Sequence, residues 1–243
     1  MRLSRPTPKF YWDILTPDGF QRSFERSRSN RRKSHLFIRI MLIYTARDLE
    51  RADRGWRINF INCLIGVKNL HVLITRNTNR TYNAAIFNSG LHLGSSPPFV
   101  GFLLRPTTVP RHTYENLRLY PFATLNAVSE GFYKKAHQTH LKLPYGESEL
   151  DLFGLALDEG IDEDIPYLTE SPLRARLRLV EEHLLTMNQT RLLVFAVETV
   201  HIAIEPDSDG FFRLDDLHLV AGSGCDAYWQ VKYLSREPLH QRR

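Results

Sequence analysis

Two apolar-patterned segments on either side of a predicted turn constrain the fold of this chain more than any other feature. Ala175, Leu177 and Leu179 alternate with three arginines, and this period of two is typical of a half-buried β-strand. A turn is predicted at residues 188–190, and residues 192–204 then form the longest predicted strand of the chain. These two strands favour a fold built mainly from β-structure.

The rest of the chain adds shorter strands with a few helices between them. Apolar residues at helical spacing predict a helix over residues 45–62, and an acidic, exposed loop is expected at residues 158–164. Further helices are predicted at 111–117 and 130–140, and further strands at 70–74, 84–87, 99–104, 122–128 and 228–234. Short strands joined by turns, with two or three inserted helices, favour a β-barrel or a sandwich in one domain.

Composition excludes several classes of protein and indicates a compartment. No uncharged apolar stretch approaches the roughly 20 residues of a membrane-spanning helix, so we expect no membrane partner. Cys63 and Cys225 are too few for a disulfide framework, which favours a reducing compartment, and we expect a cytoplasmic location.

The positive charge of the chain is concentrated at its N-terminus. Residues 1–40 hold ten of the 32 basic residues and three of the 27 acidic ones, so the remainder carries 22 basic against 24 acidic residues. This leader could be a targeting peptide, a nucleic-acid or nuclear-localisation arm, or the result of a start placed ahead of a natural start at Met41. We favour the last alternative. We predict a disordered leader over residues 1–40 and one folded domain over residues 41–243, with no nucleic-acid partner, because the body is not basic.

Most motifs for chemistry are missing from the sequence. It has no P-loop, and the G-x-G-x-x-A match at residues 222–227 has too little chain after it for a dinucleotide-binding unit. His137 and His140 stand three residues apart but lack a third ligand at a telling distance, so we predict no metal site. No nucleophile elbow is present either.

Small polar residues between the predicted strands are the remaining signal. Residues 83–89 (NAAIFNS) place small side chains where a flat ligand could approach the backbone. Residues 111–116 (RHTYEN) supply a cation, a hydroxyl and an amide at a helix start, where phosphate binds readily. The alternative is that Thr113 and Asn116 only cap the helix. Pattern alone therefore indicates an all-β ligand-binding domain.

An ordered series of motifs resembles the flavin reductase family. The series spans most of residues 44–236, and it is the order of the pieces, more than any single one, that is specific. Its clearest pieces are RINFIN (57–62), GVK (66–68), NAAIFNS (83–89), HLG (92–94), GF (101–102), RP (105–106), RHTYEN (111–116), TLN (124–126), AHQT (136–139) and SE (148–149).

The resemblance implies an all-β fold, a six-stranded antiparallel Greek-key split β-barrel with a few inserted helices. It also implies a homodimer with FMN at the subunit interface. Members of the family transfer a hydride from NADH or NADPH to the flavin, or hold FMN as an electron carrier. The resemblance therefore implies an FMN-dependent NAD(P)H oxidoreductase, with a flavin-binding electron carrier as the alternative.

The same resemblance assigns the candidate site residues. Residues 83–89 would run beside the isoalloxazine ring and the ribityl chain, and Asn126 would lie on the strand behind them. His137 and Thr139 would close the site or face the nicotinamide, with His137 as the catalytic candidate. The predicted cofactor-binding set is Asn83, Ala84, Ala85, Phe87, Asn88, Ser89, Arg105, Arg111, His112, Thr113, Asn126 and Thr139, with Arg105 and residues 111–113 near the phosphate.

Two departures from the family pattern bear on the hydride donor. Asn88 stands between Phe87 and Ser89, where family members often have the serine directly after the phenylalanine. His140 and Leu141 stand where related bacterial sequences tend to have small residues, which would narrow the space on the nicotinamide side of the site.

Two other functions are alternatives to the oxidoreductase: a small barrel that binds nucleic acid through the leader, and a barrel that has lost its flavin.

Overall fold

The computed structural model describes residues 9–13, 39–158 and 164–237 of the chain. Its strands are β1 (Lys9–Asp13), β2 (Arg39–Ile43), β3 (Lys68–Asn69), β4 (His71–Arg76), β5 (Tyr82–Phe87), β6 (Gly90–Ser95), β7 (Pro98–Leu104), β8 (Phe122–Ala127), β9 (Leu157–Asp158), β10 (Tyr167–Leu168), β11 (Leu173–Leu185), β12 (Thr190–Ile202), β13 (Val220–Ser223) and β14 (Ala227–Gln230). Its helices are α1 (Ala46–Arg51), α2 (Arg54–Leu64), α3 (His112–Leu119), α4 (Tyr133–Gln138) and α5 (Glu149–Phe153). The chain divides into two compact units, Met1–Ile61 and Asn62–Arg243.

The single helix predicted over residues 45–62 is broken into α1 and α2. The break falls at Ala52, whose backbone is extended at φ −63° and ψ 152°. The Asp53 carboxylate then accepts hydrogen bonds from the backbone N–H groups of Gly55 (2.8 Å) and Trp56 (3.1 Å), which caps the start of α2. A capping aspartate at this position therefore starts a new helix where periodicity alone predicts continuity.

The leader is described only in part. β1 pairs antiparallel with β2 over five residues of each strand. We expected disorder throughout residues 1–40, and Lys9–Asp13 instead forms a strand. The other leader residues, apart from 39 and 40, lie outside the described ranges, so the domain division at residue 40 stays a prediction.

The second unit is built around a seven-stranded antiparallel sheet with the strand order β5-β4-β8-β11-β12-β7-β6. The two segments that opened the sequence analysis form β11 and β12, each 13 residues long and paired along their whole length. They occupy neighbouring positions in the sheet, so the remaining strands add on both sides of this long hairpin.

A two-residue connection brings the two edges of this sheet together. β5 is one edge strand and β6 is the other, yet only Asn88 and Ser89 separate them in the chain. A connection of this length reaches roughly 11 Å at full extension. The sheet must therefore curl, and the Phe87 ring accordingly packs against Phe102 of β7 with 5.7 Å between the ring centroids. The result is a partly open antiparallel barrel, which confirms the predicted fold class.

The main sheet has seven strands, where the resemblance implies a six-stranded barrel. The sequence pattern also predicts no strand at the position of β6. β6 has the sequence GLHLGS, which contains two glycines and no β-branched residue. Pairing with β7 makes it a strand although its intrinsic preference is weak.

Two apolar layers hold the barrel together. The interior contains buried side chains from β4, β7, β8, β11 and β12, and Tyr114 and Leu117 of α3 pack into the same cluster. A second cluster lies on the other face of the sheet, where Phe132, Ala136, Leu150 and Leu155 cover β4 and β5. Helices α4 and α5 and their flanking residues therefore shield one wall of the barrel, and α3 contributes to its interior.

The end of the chain differs in detail from the sequence prediction. The strand predicted at residues 228–234 is the shorter β14, which pairs with β13, while β13 also pairs with β3. The G-x-G-x-x-A match spans the turn of this β13–β14 hairpin and starts no helix. Of the acidic loop predicted at 158–164, residues 159–163 lie outside the described residues, and Asp158 forms an ion pair with Arg174 at 2.6 Å. Within the described residues, no helix is long and apolar enough to cross a membrane.

Candidate functional site

A cavity of about 970 Å³ lies in the second unit. Its walls come from β5 and the residues after it, the end of β7 with the loop that follows, the start of α3, the end of α4 with residues 141–145, and the β13–β14 turn. The predicted site residues that line it are Asn83, Ala85, Phe87, Asn88, Ser89, Arg105, Arg111, His112, Thr113, His137 and Thr139.

Strand β5 forms an uncharged wall of the cavity. Asn83 is buried, and its Nδ2 donates a hydrogen bond to Thr113 Oγ1 at 3.1 Å, which ties β5 to the start of α3. Ser89 Oγ donates to the Leu103 carbonyl oxygen at 2.9 Å. These two side chains fix the ends of the wall to neighbouring elements.

Two arginines form a cationic end of the cavity. Burial lowers the pKa of Arg111, and the nearby charge of Arg105 lowers it further. Arg111 Nε donates to the Pro106 carbonyl oxygen at 3.2 Å, and neither guanidinium pairs with a carboxylate of the described residues. Two neighbouring cations without a counter-ion favour binding of an anion.

The first turn of α3 adds to this anion preference. Arg111 is the N-cap residue, and its side chain makes no capping hydrogen bond. The first backbone N–H groups of a helix are free to bind an anion when no side chain caps them. The Glu115 carboxylate of the same turn accepts a hydrogen bond from the Arg111 backbone N–H at 3.3 Å.

The end of α4 supplies a polar wall of imidazoles and hydroxyls. Thr139 is the C-cap residue of α4. It is buried, and its Oγ1 donates to the Ala136 carbonyl oxygen at 2.8 Å. His137 Nδ1 lies 2.7 Å from the Tyr228 hydroxyl, and the His140 ring lies against His137 with 4.5 Å between the centroids.

Ala84 and Asn126 do not line the cavity, contrary to the prediction. Ala84 has no exposed surface and belongs to the cluster covered by α4 and α5, because alternate residues of β5 face opposite sides of the sheet. Asn126 is fully buried; its Oδ1 accepts the Leu168 N–H at 2.7 Å and its Nδ2 donates to the Val72 carbonyl oxygen at 3.3 Å. Asn126 therefore joins β10 to the sheet.

Sequence analysis missed Tyr145, which also lines the cavity. Its hydroxyl donates to Asn116 Oδ1 at 3.0 Å and accepts the Thr78 N–H at 3.1 Å. The His112 ring packs edge-on against it with 5.2 Å between the centroids. Tyr145 lies in a loop with no periodicity, so only its long-range contacts reveal it.

Glu149 is a buried carboxylate in the cavity wall, and it was named only as part of a motif. Its side chain is 4% exposed, and its Oε2 accepts a hydrogen bond from the Ala84 backbone N–H at 2.9 Å. Burial raises the pKa of Glu149 above its ordinary value, while the N–H groups of Ala84 and of Glu149 itself and the nearby His112 oppose the rise. The carboxylate therefore holds the outer edge of β5 at an energetic cost when it is ionised.

Metal ligands do not gather in the described ranges: no group of three or more histidine, cysteine, aspartate or glutamate side chains there could hold a metal ion. Cys63 and Cys225 form no disulfide.

Comparison with known proteins agrees with this geometry. Residues 67–216 match the model of the family described as "Flavin reductase like domain". A split barrel domain protein from Shewanella frigidimarina NCIMB 400, assigned as a flavin reductase, is 32% identical, with a TM-score of 0.77 over 82% of this chain and 99% of its own. No curated protein matches the chain.

More distant solved structures share the fold. Nitrilotriacetate monooxygenase component B from Bacillus cereus is 17% identical with a TM-score of 0.70, and the match covers 81% of this chain and 98% of that one. Flavoredoxin of Desulfovibrio vulgaris (Miyazaki F) is 19% identical with a TM-score of 0.60, over 72% of this chain and 92% of that one. The chain belongs to the flavin reductase family, and its class of activity is that of an oxidoreductase acting with flavin.

The buried carboxyl generates a prediction about stability. We expect Glu149→Gln to keep the hydrogen bond from Ala84 and to remove the cost of burying a charge. The pKa of Glu149 is raised in the folded state. The wild-type protein therefore loses stability relative to the variant as the pH rises from the ordinary pKa of a glutamate to the raised pKa of Glu149. Above the raised pKa, the difference in stability is constant. Urea midpoints between pH 4 and pH 8 measure this difference.

Glu147→Gln is the matched control, because Glu147 lies two residues away and is exposed. Its midpoint should follow that of the wild type at every pH. A Glu149→Gln midpoint that differs from wild type by the same amount at pH 4 and pH 8 would contradict the assignment.

Proposed function

We propose that the protein is an FMN-dependent NAD(P)H oxidoreductase that transfers a hydride from a nicotinamide cofactor to flavin. The observation that carries the proposal is a cavity with an uncharged wall on β5 and, beside the start of α3, two arginines that pair with no carboxylate of the described residues. A phosphate-bearing ligand with a flat, largely uncharged ring system fits both ends of such a cavity.

The size of the cavity supports a cofactor together with a second ligand. Small-molecule and cofactor sites enclose about 300–1,000 Å³, and this cavity, at about 970 Å³, is at the upper end of that range. A flavin would leave part of it free for the ring of a hydride donor, as a two-substrate reaction requires.

The cationic end supports FMN as the flavin. Arg105, Arg111 and the first N–H groups of α3 would hold its terminal phosphate, and Thr113 is already bound to Asn83 on the ring side. The small residues of β5, with Asn88 and Ser89 after them, would let the ring and the ribityl chain approach the backbone.

The α4 side of the cavity is the proposed binding place of the hydride donor. His137 and Thr139 lie at the end of α4, and residues 140–142 extend that wall. We assign this wall to the nicotinamide of NADH or NADPH.

The chemistry of the reaction belongs to the ligands. When bound, FMN supplies the hydride acceptor, and the protein contributes binding, orientation and electrostatics. Accordingly, the residues of this site are donors and cations that bind and orient ligands. Hydride transfer itself needs no nucleophilic side chain.

We also propose a homodimer, formed through the outer face of β6, β7 and β12. Leu91 and Leu93 of the edge strand β6 are 43% and 41% exposed. A Cβ at Gly101 would lie 2.9 Å from Leu93 Cδ1 and 3.0 Å from Leu192 Cδ1, so these two side chains close over the glycine and make the apolar surface continuous. Contiguous exposed apolar surface marks interaction sites. β7 and β12 also supply Leu103, Leu104 and Thr190 to the cavity wall, so a second copy on this face would lie near the cavity.

The activity is tested by the visible absorption spectrum of the full-length protein. With FMN added and the excess removed, we expect a flavin band that bleaches on anaerobic addition of NADH or NADPH. A band that persists with both donors would indicate a flavin-binding electron carrier. A protein that retains no flavin would contradict the proposal.

The phosphate site is tested by Arg105→Ala and Arg111→Ala. Each change removes a charge-assisted hydrogen bond, and we expect FMN affinity to fall roughly 10-fold to 100-fold, as measured by flavin fluorescence titration. Arg118→Ala is the matched control, because Arg118 lies in the last turn of the same helix and does not line the cavity. Unchanged affinity in both folded variants would move the phosphate elsewhere.

The dimer is tested by Leu93→Glu. A buried, unpaired charge at the proposed interface should convert the dimer to a monomer in sedimentation velocity measurements. Leu119→Glu places the same charge on an exposed leucine of α3 and should leave the dimer intact. Equal sedimentation of both variants and the wild type would refute this interface.

A further inference from the structure

The β13–β14 hairpin places a tyrosine against the cavity from outside the matched family domain. The match to the family model ends at residue 216, and Tyr228 lies on β14, beyond it. Its hydroxyl is 2.7 Å from His137 Nδ1, and the two rings meet edge-on with 5.7 Å between the centroids. Both residues line the cavity.

The hairpin that carries Tyr228 is fixed to the rest of its unit. The Val220 N–H donates to the Val128 carbonyl oxygen at 3.0 Å, and Ser129 and Leu219 form a further antiparallel bridge. β13 also pairs with β3, and Trp229 Nε1 donates to Ser223 Oγ at 2.8 Å across the hairpin. Tyr228 is therefore presented to His137 by ordered backbone.

The direction of this hydrogen bond and the tautomer of His137 depend on each other. A phenol keeps its proton, and burial raises the pKa of Tyr228 further, with Asp226 and Tyr133 adding to the rise. Among the described residues, His137 Nδ1 is the one hydrogen-bond partner of the Tyr228 hydroxyl. A phenol that donates to Nδ1 selects one tautomer, because a neutral imidazole that accepts there carries its hydrogen on Nε2.

The remaining nitrogen of His137 is available to a ligand. Nε2 has no hydrogen-bond partner in the described part of the chain, and it is not among the buried polar atoms that lack one. His140 does not compete for it, because His140 Nδ1 bonds to the His137 carbonyl oxygen instead. When Tyr228 donates to Nδ1, His137 presents its Nε2–H to the cavity.

We infer that Tyr228 is a positioning residue, which holds His137 in the Nε2–H form so that this N–H can donate to the carboxamide oxygen of the nicotinamide. This inference rests on the proposed function, since it takes the α4 wall as the nicotinamide side. The inference adds Tyr228 to the site, and the Tyr228 hydroxyl acts on His137 without binding a ligand. Fixing a histidine tautomer through its second nitrogen is a general way to orient an imidazole.

The first test measures the tautomer directly and does not depend on activity. Long-range ¹H–¹⁵N spectra of the ¹⁵N-histidine-labelled, FMN-loaded protein report which ring nitrogen carries the hydrogen, and His137→Gln identifies the signal. We expect the Nε2–H pattern in the wild type and a mixed pattern in Tyr228→Phe. An unchanged pattern in Tyr228→Phe would overturn the inference.

Tyr133→Phe is the matched control. Tyr133 packs on the Tyr228 ring with 5.0 Å between the centroids, but its hydroxyl makes no hydrogen bond with the described residues. Removing that hydroxyl tests the same aromatic cluster without touching the bond to His137. Its spectrum should match that of the wild type, and a loss of the Nε2–H pattern here as well would point to general loosening and overturn the specific role of Tyr228.

The second test is kinetic. In Tyr228→Phe we expect the KM for NADH or NADPH to rise roughly threefold to tenfold, the size of one lost neutral hydrogen bond, while FMN affinity and kcat change little. An altered tautomer with an unchanged KM would overturn the contact with the nicotinamide. If neither donor reduces the wild-type protein, the proposed function fails, whereas the spectra still decide whether Tyr228 sets the tautomer.

Discussion

The short chain connection between the two edge strands constrains the rest of the barrel. Only Asn88 and Ser89 connect β5 to β6, which lie at opposite edges of a seven-stranded sheet. The sheet can satisfy this connection only by curling until its edges meet, and Phe87 and Phe102 then pack across the seam. The same connection lines the cavity, so the closure of the barrel and the wall of the site are one piece of chain.

Electrostatics divides the cavity into regions of different character. Arg105 and Arg111 pair with no carboxylate of the described residues, the lining residues of β5 carry no charge, and α4 contributes the imidazole of His137. Glu149 adds a buried carboxylate to the lining, which accepts a hydrogen bond from the Ala84 N–H. The backbone groups at the open side of an edge strand need hydrogen-bond partners. Here the partner is a buried carboxylate, and its burial lowers the stability of the fold by an amount that depends on pH.

The errors of the sequence analysis have a common cause. The motif NAAIFNS locates the cavity wall, but a strand turns alternate residues to opposite faces, so Ala84 packs under α4 and α5 while Asn83 and Ala85 line the cavity. Asn126 looked like a ligand-binding amide, yet its amide satisfies the backbone of Leu168 and Val72. Tyr145 carries no local signal, and Tyr228 belongs only to a weaker motif match, DAY (226–228), because the partners of both lie more than 25 residues away along the chain.

The sequence by itself determined the class of the fold, the long β11–β12 hairpin and the family, since alternation of apolar residues and an ordered set of motifs are local properties of the chain. Eleven of the thirteen site residues that it predicted line the cavity. Only the tertiary structure decided which of them face the cavity, which residue binds the β5 edge and which nitrogen of His137 is left open. These outcomes follow from curling of the sheet and from hydrogen bonds between distant segments, and neither is encoded in any single stretch of sequence.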